Sequence, residues 1–158
     1  MSLYNSILAG ITNALYDEFS SDASPITTIY TETIPQGFTE PCFFVEPVAV
    51  TQEKRIHREY DRSYSFDVMF FPADSTCANE QMTSIGDRLL FALEMISISE
   101  TDRLRGASTG WRLVDGVMHF SISYNPRVLN PPPSDPELTR ATLNGQEIPN
   151  RQNNGESP

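Results

Sequence analysis

The chain is poor in the residues that do chemistry: among 158 residues it has two cysteines, Cys42 and Cys77, and two histidines, His57 and His119. Two thiols without C-x-x-C spacing exclude a disulfide framework and a cysteine-built zinc site. Cys42 opens one expected strand and Cys77 lies near the start of an expected helix, and we read both as reduced, half-buried thiols of a cytosolic protein. No H-x-x-x-H or D-x-D-x-D pattern occurs, so no metal is expected. Nucleophilic catalysis needs a hydroxyl or thiol beside a positioned base. His57 falls in a charged loop and His119 on the outward register of a hairpin, so neither a catalytic residue nor a cofactor is expected, and the chain is read as not an enzyme. Glu46, Glu53 and Asp67 could converge across neighbouring strands, although carboxylates so placed are more often solvated or at an interface. Glycines are scattered. The Gly106-Ala107-Ser108-Thr109-Gly110 stretch precedes a strand rather than a helix, so it is no phosphate cradle and reads as a flexible loop.

Long apolar runs are also missing. Without about 18 consecutive apolar residues there is no candidate membrane helix, and Met1-Ser2-Leu3-Tyr4-Asn5 has neither the basic nor the apolar region of a secretion signal. The expectation is a soluble chain outside the Sec route, with no membrane partner. Basic residues are scarce as well: 11 against 21 acidic ones leave a formal charge of −10, which repels nucleic-acid phosphate and disfavours sequence-specific binding to it.

What is present suits one globular domain, since a 39% hydrophobic share over this length can fill a single core. Leu3, Ile7, Ile11, Leu15 and Phe19 recur every four residues, which makes 2–19 an amphipathic helix that Ser2 can cap. A β-branched run from Ile26 to Ile34 reads as a strand that reverses at Pro35-Gln36-Gly37 into a second strand, about Cys42 to Gln52. Pro47 cannot donate a ladder hydrogen bond, so that strand needs an edge position or a bulge. From Tyr60 to Phe71 the alternation is clean, with Tyr60, Tyr64, Phe66, Val68 and Phe70 on one face and Asp61, Ser63, Ser65 and Asp67 on the other. The intervening Glu53–Glu59 stretch reads as a hairpin tip. A second helix is expected from Cys77 to Ile96 on the spacing of Met82, Ile85, Leu89, Leu93 and Ile96. Asp115-Gly116 then marks a type I′ hairpin whose inner face carries Met118, Phe120, Ile122 and Tyr124. From Asn130 onward prolines multiply and apolar residues thin out, the composition of a disordered tail. The fold class is therefore α+β: residues 1–129 form an antiparallel sheet of about four to five strands with two helices on one face, and 130–158 form a flexible Pro-rich tail. Phe43, Phe44, Met69, Phe71 and Trp111 are candidates for a second, partner-facing sheet surface, although most should be core.

Four blocks in fixed order carry a resemblance: Ile34-Pro35-Gln36-Gly37-Phe38-Thr39-Glu40-Pro41-Cys42-Phe43-Phe44-Val45, then Arg62-Ser63-Tyr64-Ser65-Phe66-Asp67-Val68-Met69-Phe70-Phe71-Pro72, then Asp87-Arg88-Leu89-Leu90-Phe91-Ala92-Leu93-Glu94, then Val114-Asp115-Gly116-Val117-Met118-His119-Phe120. Over most of residues 1–130 the chain resembles the tail-terminator proteins of phages and prophages of Gram-positive bacteria. The resemblance implies a structural virion protein that forms a hexameric ring on the last ring of tail-tube protein, stops tube growth and presents the surface that joins the head. It implies a place at the head-proximal end of the tail, assembly in the host bacterial cytoplasm, and the tube protein as partner, with sheath and head-completion or neck proteins as further ones. Genomic DNA would pass through an acidic lumen without sequence-specific binding. The residues expected to meet neighbours are Gln36 and Phe38 in the Pro35–Phe38 turn and Lys54, Arg55, His57, Arg58 and Arg62 in the charged hairpin. The competing readings are a head-completion or neck protein and, from another class, a small-molecule-binding α+β domain with an aromatic pocket.

Overall fold

The computed structural model describes residues 1–73 and 76–132, together with the backbone of 142–143 and 146–147. Helix α1 spans Leu3–Phe19, and the Ser2 hydroxyl caps it by accepting from the Asn5 amide at 3.2 Å. Its four-residue repeat places Ile7, Ile11, Leu15 and Phe19 on one fully buried stripe. Helix α2 spans Ala78–Ala92 and buries Met82, Ile85 and Leu89. It ends earlier than its spacing suggests, because the chain turns at Leu93 and re-enters as a short strand in which Ile96 is buried. Leu93 and Ile96 face the same core whether reached by helix or by strand, so their spacing could not separate the two.

The strands are β1 (Ile29–Tyr30), β2 (Cys42–Lys54), β3 (Glu59–Phe71), β4 (Met95–Ser97), β5 (Arg103–Val114), β6 (Val117–Tyr124) and β7 (Arg127–Leu129). They form one seven-stranded sheet in the order β1-β2-β3-β6-β5-β4, with β7 continuing beside β3 beyond the end of β6. The sheet is thus larger than the expected four to five strands, and it is mixed rather than antiparallel, because β1 runs parallel to β2 with Ile29 opposite Phe43 and Tyr30 opposite Phe44. Parallel neighbours need a connection that returns to the starting end, so residues 31–41 form a long return loop and not a tight hairpin. The expected Ile26–Ile34 strand shrinks to two residues for a related reason. The Ile26 amide donates to the Phe19 carbonyl and its side chain enters the core, which ties this segment to the end of α1.

Two irregularities were differently legible. The β2–β3 register shifts between Pro47 and Ala49, the bulge that Pro47 demands. The Gly106–Gly110 stretch is no loop. It lies within β5, bulged between Ala107 and Gly110, with Ser108 at a φ of 54°. Gly106 is needed for packing, since a Cβ there would sit 2.6 Å from Ile122 Cδ1 and 3.0 Å from the Leu93 carbonyl.

Both helices cover the same face of the sheet. Tyr64, Phe66, Val68 and Phe70 of β3 and Met118, Phe120, Ile122 and Tyr124 of β6 meet the buried stripes of α1 and α2 in one cluster, each large side chain contributing about 1.5–3 kcal/mol on burial. Asp115 and Gly116 adopt φ of 50° and 77°, the left-handed pair of a type I′ turn. Tyr124 is buried, which pushes its phenol up, and its hydroxyl donates to the Leu93 carbonyl at 2.8 Å, satisfying an acceptor at the end of α2. Arg88 joins the helices. Its guanidinium contacts Glu18 Oε1 at 3.1 Å, the Glu18 carbonyl at 3.0 Å and Asp22 Oδ2 at 2.6 Å, and lies 4.4 Å above the Phe19 ring. Beyond the sheet, Thr142–Leu143 (β8) pairs antiparallel with Gln146–Glu147 (β9) as a separate two-stranded unit. The rest of the expected tail from 133 onward lies outside the described residues.

Two outcomes are expected. The Arg88 hydrogen bond holds the Asp22 carboxyl below its ordinary value of 3.8. A depressed carboxyl stabilises above its unfolded pKa, and that contribution is lost as pH falls through the lower folded value. Urea midpoints measured down an acid series should therefore fall less steeply in Asp22→Asn than in the wild type. Separately, a Cβ at Gly10 would lie 2.6 Å from the Ser97 carbonyl oxygen, a backbone atom that cannot swing aside. Gly10→Val should cost about 1–3 kcal/mol of unfolding free energy in the same assay.

Candidate interaction surface

β2 and β3 pair as far as Lys54 opposite Tyr60, and the tip closes when the Arg55 amide donates to the Glu59 carbonyl at 2.9 Å and the Glu59 amide to the Ile56 carbonyl at 3.0 Å. His57 takes the left-handed turn position at a φ of 57°. On the other side β7 lies along Glu59–Asp61, and the Asn130 amide donates to the Arg58 carbonyl at 2.8 Å. The result is a three-stranded arm. From Glu46 to Lys54 every β2 residue is exposed. The arm carries Val48 at 65%, Val50 at 53%, Ile56 at 67% and Leu129 at 64% exposure. β1 covers β2 only at Phe43 and Phe44, so among the described residues the outer backbone edge of β2 from Val45 to Lys54 has no strand beside it. An open edge with exposed apolar side chains is a surface suited to another chain.

The seven residues expected at interfaces divide into three groups. Lys54, Arg55, His57 and Arg58 stand together at the exposed arm tip, where Arg55 pairs with Asp61 at 3.3 Å. Arg62 does not belong to the tip. It sits lower on the arm, on the register of the helix-covered face, and donates to Gln52 Oε1 at 2.8 and 2.5 Å and to the Tyr64 hydroxyl at 3.1 Å, a brace between β2 and β3. Gln36 and Phe38 lie at the opposite end of β3 from the tip. Gln36 is exposed, but Phe38 packs edge-on against Phe71 with centroids 5.1 Å apart, and the Thr39 amide donates to the Tyr30 hydroxyl, so the loop folds back onto the sheet.

That loop decides the fate of the second sheet face. Of the five side chains considered for a partner, Phe43 packs on Phe19 and Phe70, and Trp111 lies against Gly86, both on the helix side. Phe44, Met69 and Phe71 do occupy the outer face, and Phe44 and Cys42 are buried there. The Cys42 thiol is pushed up to about 11 by burial, with the Glu40 charge adding to it, whereas Cys77 is exposed, so the two are not alike and neither is half-buried.

Polar side chains gather on the outer face of β3 and β6. His119 Nδ1 lies 2.8 Å from Asp67 Oδ2 across the β3–β6 ladder, and Asp67 Oδ1 is buried without a partner. Neighbouring Ser65 and Ser123 hydroxyls bond each other at 2.9 Å. Glu46 is the cross-strand partner of Asp67, but Glu53 is opposite Asp61 in the arm, so the three carboxylates do not converge. Among the described residues no three His, Cys, Asp or Glu side chains gather as a metal site. The Asp67–His119 pair was not foreseen. Both residues were visibly off the core register, but only the β3–β6 pairing makes them neighbours.

A family model described as phage tail terminator protein matches residues 6–136. The chain belongs to the phage tail terminator protein family. The terminator is a structural phage-tail protein, located in the virion and in contact with other tail components. A comparison with curated protein sequences finds no match. One solved structure is similar over 85% of this chain and 99% of its own at 18% identity and a TM-score of 0.40. Another, titled as the virion of a native gene transfer agent (GTA) particle, is similar over 78% of this chain and 98% of its own at 14% identity and a TM-score of 0.38.

With its thiol neutral and enclosed, Cys42 should resist maleimide in the folded terminator while Cys77 reacts, and mass spectrometry should find Cys42 labelled only after denaturation. Replacing His119 with Leu should leave Asp67 without its ring partner and lower stability by about 1–3 kcal/mol, read by chemical denaturation.

Proposed function

We propose that this terminator caps the tail tube as a six-membered ring at the head-proximal end, stopping polymerisation and presenting the surface that joins the head. The arm carries this reading. A monomer that exposes an open strand edge and four large apolar side chains on one projection is a subunit awaiting a neighbour. An arm that reaches from one side of a subunit suits a head-to-tail contact, and such contacts form a ring when the rotation between neighbours closes. The formal charge of −10 suits a lumen through which DNA slides without adhering. Tail-tube protein is the partner below the ring, and sheath and head-completion proteins are partners around and above it, joined during assembly in the host cytoplasm.

Removing the gene from a particle-producing genome and measuring tails by negative-stain electron microscopy tests this directly. Overlong or headless tails are expected, and tails of normal length bearing heads would overturn the capping role. Arg58 is exposed and its side chain makes no ion pair among the described residues. Arg58→Glu should therefore weaken ring assembly without shifting the thermal midpoint of the monomer, and unchanged assembly on native mass measurement would remove the tip from the interface.

A further inference from the structure

The two faces of the arm carry different charges. By the strand register Gln52 and Lys54 of β2, Tyr60 and Arg62 of β3 and Val128 of β7 share the face that looks toward the helices. Glu53, Glu59 and Asp61 fall on the other face, where Asp61 pairs with Arg55 and Arg127. On the helix side the arm and the start of α1 border a hollow of about 430 Å³, walled by Leu3, Tyr60, Val128 and Pro131 with Arg62 and Gln52 among them. No carboxylate lines it. Arg62 bonds there only to the neutral Gln52 and Tyr64 side chains, and Lys54 beside it makes no ion pair among the described residues. The first turn of α1, the positive end of the helix dipole, holds no acidic residue either. In a chain of net charge −10 this corner is cationic, apolar-walled and without a counter-charge among the described residues.

Its complement stands elsewhere on the same subunit. Phe91 of α2 is 81% exposed, more than any other aromatic side chain among the described residues. Asp87, one helical turn before it, and Glu94, three residues after it, are both exposed, and Asp87 has no ion pair among the described residues. An aromatic ring held in water between carboxylates matches the corner in polarity and in charge. It does not reach the corner of its own chain, because α2 packs over β5 and β6, across β3 from β2, and Phe91 takes no part in lining the hollow.

We propose that Phe91 of one copy seats in the corner between the arm and α1 of the next copy, with Asp87 and Glu94 against Lys54 and Arg62. Knob and corner are different patches, so the contact runs head to tail, as a ring requires. A large aromatic anchor in a pocket, ringed by paired charges, is the pattern that carries most of an interface's binding energy. A nucleic-acid phosphate would answer the cations but not the apolar walls, and the field of the whole protein repels it.

This inference rests on the ring reading and supplies its contact, and the test separates the two. Full-length Phe91→Lys, Lys54→Glu and Asp87→Lys, and a double variant joining Lys54→Glu to Asp87→Lys, are each placed in the particle-producing genome, and tails are measured by electron microscopy. The native mass of the purified proteins is followed against concentration in parallel. All three positions are exposed, so thermal midpoints should match the wild type. Each single change should weaken self-association about tenfold or more and lengthen the tails as deletion of the gene does, and the double variant should recover both. Tails of normal length and unchanged association in all three single variants would overturn the docking, while overlong tails on deletion would still uphold the ring. Defects that persist in the double variant would overturn the second copy as occupant and assign the corner to another component of the tail. Normal tails on deletion of the gene would remove ring and docking together.

Discussion

Everything in this fold depends on the alternation of β3. Its even-numbered residues from Tyr64 to Phe70 enter the core and its odd-numbered residues stay out, and β2, β6 and β7 all take their register from it. A one-residue slip would turn Phe66, Val68 and Phe70 toward the outer face and Asp67 into the apolar cluster, which no local adjustment could offset. With that register held, both helices are confined to a single face. Arg88 then fixes one helix against the other through Glu18 and Asp22.

Core and interface are consequently segregated along the same strands. Cys42–Val45 of β2 are buried with the inward side chains of β3, whereas β2 from Glu46 to Lys54 is exposed and, among the described residues, has no strand along its outer edge. The large apolar side chains of the arm, Val48, Val50, Ile56 and Leu129, therefore lie outside the buried cluster. At the far end loop 31–41 folds back onto the sheet and packs Phe38 on Phe71 of the outer face.

Much of this was legible because it is local. Period-four spacing found α1, period-two spacing found β3, and Asp115-Gly116 found the β5–β6 turn with its positive φ values. Pro47 announced the bulge. What failed was whatever depended on a distant partner. Ile96 fits a helical stripe and sits in β4, Gly106 resembles a loop glycine and proves to be a packing glycine beneath Ile122, and Ile26 looks like a strand residue and belongs to the end of α1. The surroundings of the residues expected at interfaces divide in the same way. The tip cations are where a charged seven-residue stretch between two strands must be, whereas the contacts of Arg62 with Gln52 and of Phe38 with Phe71 join residues distant in sequence.

The sequence by itself determined the class of fold, the inward faces of its main elements, the hairpin tip and the family resemblance, because periodicity, turn chemistry and motif order are properties of neighbouring residues. Only the tertiary structure decided that β1 runs parallel, that β7 extends the arm, that Asp67 meets His119 and that the edge of β2 stands open. Each of these is a relation between segments far apart in the chain, settled by which pairing buries the shared apolar face without stranding polar groups.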